Sequence, residues 1–336
     1  MLAQISLIAL ASNLGSLIIP ASELESTFSL AAGDVGKKTG VTNLFRLSAS
    51  ESLEQLTVKS ALKALRIAGL TVKDLRGVFG SSNPTTNTLM PSYTVKVAQM
   101  LGCESIIVDH VGMGCGGALQ AMRNAYNQLV VDSLMGITSN YLIIVGDHTS
   151  RILDPAKYDT GILFSEGTAA AVITNDRHRT PGYVIARVGT MSLLGENLES
   201  LKIENPYSFA VPRHCYFEMD GRRVFEFGTK QVPKFLELVG LKSFPENAYL
   251  VPHQPNLRML EKMAKDAQID PKNIYMEGIR TIGNTSTPAV FIGLEDALQR
   301  GLMSLGAPVL LGTFGAELQV GAAWLLPVSA LSVIGQ

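Results

Sequence analysis

The sequence predicts a layered α/β fold made of two similar halves, and three observations predict it. Short apolar strands alternate with helical stretches, the pattern of sheets covered by helices. A strand-and-turn arrangement in the first half returns in the second after roughly 165–175 residues. Neither a low-complexity linker nor a short repeat of ~20–50 residues divides the chain.

The N-terminal stretch MLAQISLIALASNLGSLIIP is apolar but lacks Lys or Arg ahead of the apolar run. Ser12, Asn13 and Ser16 interrupt it, so it reads as a first strand and a turn rather than an export signal. After an amphipathic helix, LRGVFGSSNPT (75–85) is a short strand ending in small polar residues, and AYLVPHQPNL (248–257) repeats that form before another helix. The second pair is YLIIVGDHTS (141–150) and PVLLGTFGAE (308–317), each following a helix and ending near a glycine. Loops at the carboxyl ends of such strands are where ligands bind in sheets of this kind.

With 46% hydrophobic residues among 336, there is material for a core of about two domains. Only 17% of residues are charged, which points to surface hidden in a subunit interface. A net charge of −1 and a pI near 6.5 leave no basic surplus for a phosphate backbone. No run approaches the ~18 apolar residues of a membrane-spanning helix. Cys103, Cys115 and Cys215 are odd in number and lack metal-ligand spacing, the usage expected of free thiols in a reducing cytoplasm.

The first candidate for chemistry lies in IIVDHVGMGCGGALQAMRNAYNQLV (106–130). A strand begins at Ile106 and a helix runs from Ala118, so Cys115 stands at a strand-to-helix junction among Gly112, Gly114, Gly116 and Gly117. A helix N-terminus favours the thiolate, and the glycines allow a sharp turn and close approach of a substrate. The competing reading is a buried apolar cysteine; Cys103 and Cys215 lack such a setting and read as structural. His253 follows the strand Ala248–Val251 and precedes a helix that Pro255 can start. An imidazole there can accept a proton or donate to a thioester oxygen, or serve as an ordinary loop histidine. Asn284 lies in a Gly-Asn-Thr-Ser turn before a helix beginning near Pro288, where Asn is also a common turn residue. A glycine-containing turn in GTFGAELQVGAAW (312–324) offers backbone N–H groups or simply closes a hairpin. His110 falls within or beside a strand, while His148, His178 and His214 read as solvated. There is no HxxxH, CxxC, GxGxxG or GxxxxGK[ST] pattern, so no metal or nucleotide cradle is expected.

In this order and spacing, the four segments resemble the β-ketoacyl-acyl carrier protein synthase III family of the thiolase superfamily. The resemblance runs from KKTGV (37–41) to VGAAWLL (320–326), and its most specific part is VPHQPNLR followed about thirty residues later by GNTS. It implies a thiolase fold in which duplicated α/β halves form a five-layer α-β-α-β-α sandwich, here 1–174 with the nucleophile and 175–336 with His and Asn. It implies a cytoplasmic homodimer acting on acyl carrier protein or coenzyme A thioesters, with no further cofactor. Cys115 would take an acyl group; His253 and Asn284 would hold a malonyl thioester while it loses CO₂, and the carbanion would attack the acyl group. Backbone N–H groups of Cys115 and Ala316 would form the oxyanion hole.

Substrate or carrier binding would fall to Lys38, Arg151, Arg258, Met90, Ser82 and Phe225. Arg151 would flank an adenine, Arg258 would dock an acidic carrier, and Met90 would reach the partner subunit's acyl tunnel. Several positions depart from the family pattern. Asp34 stands where many members carry an adenine-stacking Trp, Lys38 replaces an Arg, and Glu317 enters the glycine-rich turn. These changes imply a specialised member of fatty acid, polyketide or other secondary metabolism. Arg151 and Ser82 would meet the extra carboxylate of a dicarboxylyl primer, and a β-ketoacyl donor is an alternative to malonyl. Transfer of the acyl group to an alcohol or amine, and a non-catalytic scaffold subunit, are the other readings.

Overall fold

The computed structural model describes residues 4–83, 90–179, 182–194, 200–205, 214–304, 306–315 and 318–327. The first apolar segment is strand β1 (Ser6–Leu14), and Gly15 then turns the chain. Strands β2 (Leu17–Pro20) and β3 (Asn43–Arg46) pair antiparallel around two short helices, α1 (Ala21–Thr27) and α2 (Asp34–Thr39). Helix α3 (Leu53–Ile67) starts at Ser52, whose side chain accepts from Gln55 N, and buries Leu53, Leu56, Ala61, Ala64 and Leu65 along one stripe. The first half continues through β4 (Gly77–Ser81), α4 (Tyr93–Met100), β5 (Ile107–Val111), α5 (Gly117–Leu134), β6 (Asn140–Asp147), α6 (Tyr158–Gly161) and β7 (Gly167–Thr174).

The second half opens with β8 (Tyr183–Ser192) and a small pair, β9 (Leu201–Ile203) and β10 (Phe217–Met219). Helices α7 (Gly221–Gly228) and α8 (Val232–Val239), strand β11 (Tyr249–Pro252) and helix α9 (Leu257–Asp266) follow. Then come α10 (Glu277–Thr281), α11 (Ala289–Gln299), β12 (Val309–Phe314) and β13 (Gln319–Pro327). Pro255 does not start α9: Asn256 is its N-cap, its side chain accepting from Arg258 N, because an amide oxygen satisfies an orphan N–H that proline cannot. Helix α11 does begin directly after Pro288.

One nine-stranded sheet runs β11-β12-β13-β8-β1-β7-β6-β4-β5. It is two copies of one pattern. In the first half β4 is parallel to β6, β6 antiparallel to β7, and β7 antiparallel to β1. In the second, β11 is parallel to β12, β12 antiparallel to β13, and β13 antiparallel to β8. A bridge from Leu250 to Ile274 stands where β5 stands in the first copy. Within the sheet, the copies join where Ser6 and Leu7 of β1 pair with Val184 and Tyr183 of β8.

Alternating side chains sort this sheet between three cores. Leu142 and Ile144 pack with α3 and α4, while Ile143 and Val145 face α5. Leu250 and Leu310 pack with Phe235 of α8 and Met263 of α9, while Val251 and Leu311 join Leu119, Met122 and Phe291 of α5 and α11. Helices α5 and α11 thus lie between the halves, giving five layers, α-β-α-β-α. Among the described residues, no helix is long and apolar enough to cross a membrane.

Candidate active site

A cavity of about 480 Å³ opens at the carboxyl ends of these strands, and Cys115, His253 and Asn284 all line it. Cys115 sits in a single 3₁₀ turn, Gly114–Gly116, between β5 and α5. Its four neighbouring glycines divide by role. Gly112 and Gly114 line the cavity, whereas a Cβ on Gly116 would strike the Gln319 side chain and one on Gly117 the Ser81 hydroxyl. Across the site, a Cβ on Gly315 would come within 2.9 Å of Cys115 Cβ and 3.1 Å of its backbone N, so the end of β12 approaches the nucleophile turn as only glycine permits.

The sequence predicts a thiol pKa lowered by the helix start, and the structure reverses that. Burial pushes the Cys115 thiol up to about 12, and the Asp147 carboxylate pushes in the same direction. Helix-terminus effects reach about 2 kcal/mol at most, and here desolvation outweighs them. A hydrogen bond with Ser286, whose Oγ lies 3.6 Å from Sγ, works the other way.

His253 closes β11 and is 3% exposed. Its backbone N–H donates to Gly312 O at 2.7 Å, and its ring meets Phe314 edge-on with centroids 5.6 Å apart. Nδ1 has no partner among the described residues. Burial lowers its pKa to about 3, so the imidazole is neutral at physiological pH. Asn284 is tied to the first half: its N–H donates to Leu163 O at 3.0 Å and its carbonyl accepts from Ser165 N at 2.7 Å. The side-chain oxygen of Asn284 accepts from Ser286 N at 2.8 Å, which leaves the amide NH₂ as the end available to a ligand.

Sequence reasoning missed the group beneath these residues. Asp147, fully buried at the end of β6, accepts from Asn83 N at 2.8 Å, Asn83 Nδ2 at 2.9 Å and Thr287 N at 3.0 Å. Burial raises its pKa, opposed first by hydrogen bonding from Thr287. Thr287 Oγ1 in turn donates to Gly114 O at 3.0 Å, so one carboxylate ties the loop after β4, the nucleophile turn and the loop before α11 together. The only sequence signal was an acidic residue at a strand end, which is common.

Of the six proposed binding residues, Lys38 and Phe225 line the cavity. Lys38 Nζ stands 5.8 Å from the Tyr158 ring centroid, within cation–π reach at the rim. The other four do not line it. Arg151 is exposed at the end of a 3₁₀ turn, with Ile152 taking the place on the wall. Arg258 is exposed on α9, between Asn256 and Met259, which do line it. Met90 is 86% exposed, and Ser82 is buried with its hydroxyl donating to Asn83 O at 3.0 Å. Ala316 and Glu317 lie outside the described residues. Asp34 starts α2 away from the lining. His148 is not solvated: it is half-buried with Nε2 3.8 Å from the buried Glu166 carboxylate, because the turn after β6 folds back over β7.

Two family models match the chain. 3-Oxoacyl-[acyl-carrier-protein (ACP)] synthase III matches residues 110–191, which include Cys115. 3-Oxoacyl-[acyl-carrier-protein (ACP)] synthase III C terminal matches residues 245–326, which include His253 and Asn284. The curated beta-ketoacyl-[acyl-carrier-protein] synthase III of Campylobacter jejuni subsp. doylei is 25% identical over 323 residues, covering 95% of this chain and 97% of that protein. The priming beta-ketosynthase from the R1128 polyketide biosynthetic pathway superposes with a TM-score of 0.85 at 22% identity, covering 96% of each chain. 3-Oxoacyl-[acyl-carrier-protein] synthase III from Aquifex aeolicus gives 0.83 at 23% identity, over 96% of this chain and 99% of that one.

Proposed function

Because the chain belongs to the β-ketoacyl-acyl carrier protein synthase III-like family of the thiolase superfamily, we propose that it performs decarboxylative Claisen condensation on acyl thioesters through Cys115. The observation that carries this reading is the convergence of Cys115, His253 and Asn284, from both halves, on one cavity. Cys115 Sγ attacks the thioester carbonyl of the primer and the carrier thiol leaves, giving an acyl-enzyme. The thiol must lose its proton for this, and His253 is a neutral, buried base in the cavity wall. A malonyl or β-ketoacyl thioester then binds with its carbonyl oxygen facing an imidazole N–H and the Asn284 amide NH₂. Both are uncharged donors suited to an enolate oxygen. Malonyl loses CO₂, its carbanion attacks the acyl carbon, and Cys115 leaves as the thiolate, which regains a proton from solvent.

The wall favours an apolar acyl primer. Phe225, Phe314, Leu318 and Met259 line it, while Arg151 and Ser82, the residues offered for an extra carboxylate, are off it. Thioesters of acyl carrier protein or coenzyme A are the substrates, in the cytoplasm. Residues 1–174 and 175–336 form its two domains, supported by the repeated strand order. A homodimer is supported by β5, an outermost strand with exposed apolar Val95, Met100 and Ile107 nearby in sequence.

Intact mass after incubation with acyl donors tests the reading: an adduct lost in Cys115→Ser is expected, then CO₂ release on adding malonyl-carrier protein. No adduct with any donor would sink it. Asn284→Ala should abolish decarboxylation yet leave Cys115 acylation largely intact, and equal loss of both would contradict its role.

A further inference from the structure

The direction of one hydrogen bond at the nucleophile follows from the chemistry of its neighbours. Ser286 is 4% exposed; its Oγ meets Asn83 Nδ2 at 3.2 Å and Cys115 Sγ at 3.6 Å, and its side chain also hydrogen-bonds the Asp147 carboxylate. An amide NH₂ only donates, so the Ser286 oxygen accepts from Asn83. The same NH₂ gives its other proton to Asp147 Oδ2 at 2.9 Å, and Asn83 N–H also donates to that carboxylate, which fixes the amide's orientation. A thiolate can only accept, so once Cys115 ionises its contact with Ser286 is an O–H···S bond, with the Asp147 carboxylate as the competing acceptor. The backbone is bent to achieve this. Ser286 has φ +62°, a left-handed conformation that costs a non-glycine residue energy, and the Asn284 side chain holds it there through Ser286 N.

We propose that Ser286 is a further catalytic residue, whose hydroxyl donates to the Cys115 sulfur and stabilises its thiolate, with Asn83 and Asp147 as the positioning pair. This rests on Cys115 being the nucleophile. It gives Asn284 a second task, since the same side chain that offers its NH₂ to substrate also shapes the turn carrying Ser286. A half-buried thiolate in a cavity wall needs such a donor, because hydrogen bonding to the charged form is what offsets desolvation.

The test is alkylation of Cys115 by iodoacetamide, followed by site-resolved peptide mass over neutral to alkaline pH. Ser286→Ala removes the hydroxyl. Ser286→Gly removes it while suiting the left-handed backbone, so it guards against a variant that fails to fold. Both should displace the pH–rate profile upward by about one unit, slowing alkylation at a fixed pH about tenfold, or about 1.4 kcal/mol. Asn83→Ala should move it in the same direction by less. Profiles of both Ser286 variants superposing on the wild type, with unchanged melting, would overturn the assignment. Should acyl donors leave no adduct on the Cys115 peptide, the nucleophile reading fails and the Ser286 assignment falls with it. That result is distinct from an unmoved profile.

Discussion

His253 shows how one residue couples chemistry to stability. Its pKa is about 3 in the fold and ~6.5 in a free chain, so between those values the unfolded state binds the extra proton. Stability therefore rises with pH through that window, is fully present above ~6.5, and is lost toward 3 at about 1.4 kcal/mol per pH unit. Urea unfolding at neutral and mildly acid pH should show this slope in the wild type, and His253→Asn should flatten it; identical slopes would contradict the buried neutral imidazole. Cys115, His253 and Asn284 were legible in the sequence because the glycine-flanked cysteine, VPHQPNLR and GNTS stand in the order and spacing of a known family. Ser286, Asn83 and Asp147 were not, because their contacts join residues 171, 203 and 140 positions apart, and no local pattern carries such pairings. The same distance effect misled the reading of Cys115, since the groups that bury it come from elsewhere in the chain.

At the scale of elements, two junctions hold the site. Asn256 caps α9 and also donates from Nδ2 to Lys38 O at 3.0 Å, joining α9 to α2 at the cavity rim. Asn256→Ala should cost about 1 kcal/mol by thermal or chemical denaturation. It should also raise KM for the thioester more than it lowers kcat, because the rim and not the nucleophile is disturbed; an effect on kcat alone would argue against this. Gly315→Ala drives a methyl into the Cys115 turn, and a loss of about 1–3 kcal/mol together with slowed acylation is expected. Wild-type acylation in that variant would show that the β12 end tolerates displacement. Helix and strand existence was legible from periodicity, whereas the start of α9 was not. Proline and asparagine compete there for the first turn, and the cap hydrogen bond decides it.

For the whole molecule, both halves contribute to the central core around α5 and α11, so neither is covered without the other. Residues 1–174 expressed alone should therefore lack a cooperative thermal transition by circular dichroism; a sharp one would show the halves to be independent. Light scattering should report a dimer for the intact chain and a monomer for V95K/I107K, if β5 is the contact edge. The duplication was legible in two strand pairs, β4 with β11 and β6 with β12. It was hidden in β7, where GTAAAVIT is buried on both faces and its small residues carry no alternation to match with β13. The matching registers also set two equivalent stations at the strand ends. Pairing of Ser81 with Val145 and of Pro252 with Gly312 makes Ser82 and Asp147 the counterparts of His253 and Phe314. The two stations thus carry opposite chemistry. In the first station a carboxylate is kept for tethering, and in the second an aromatic ring keeps an imidazole dry. The labour of catalysis is divided between twins that share a backbone and differ in polarity.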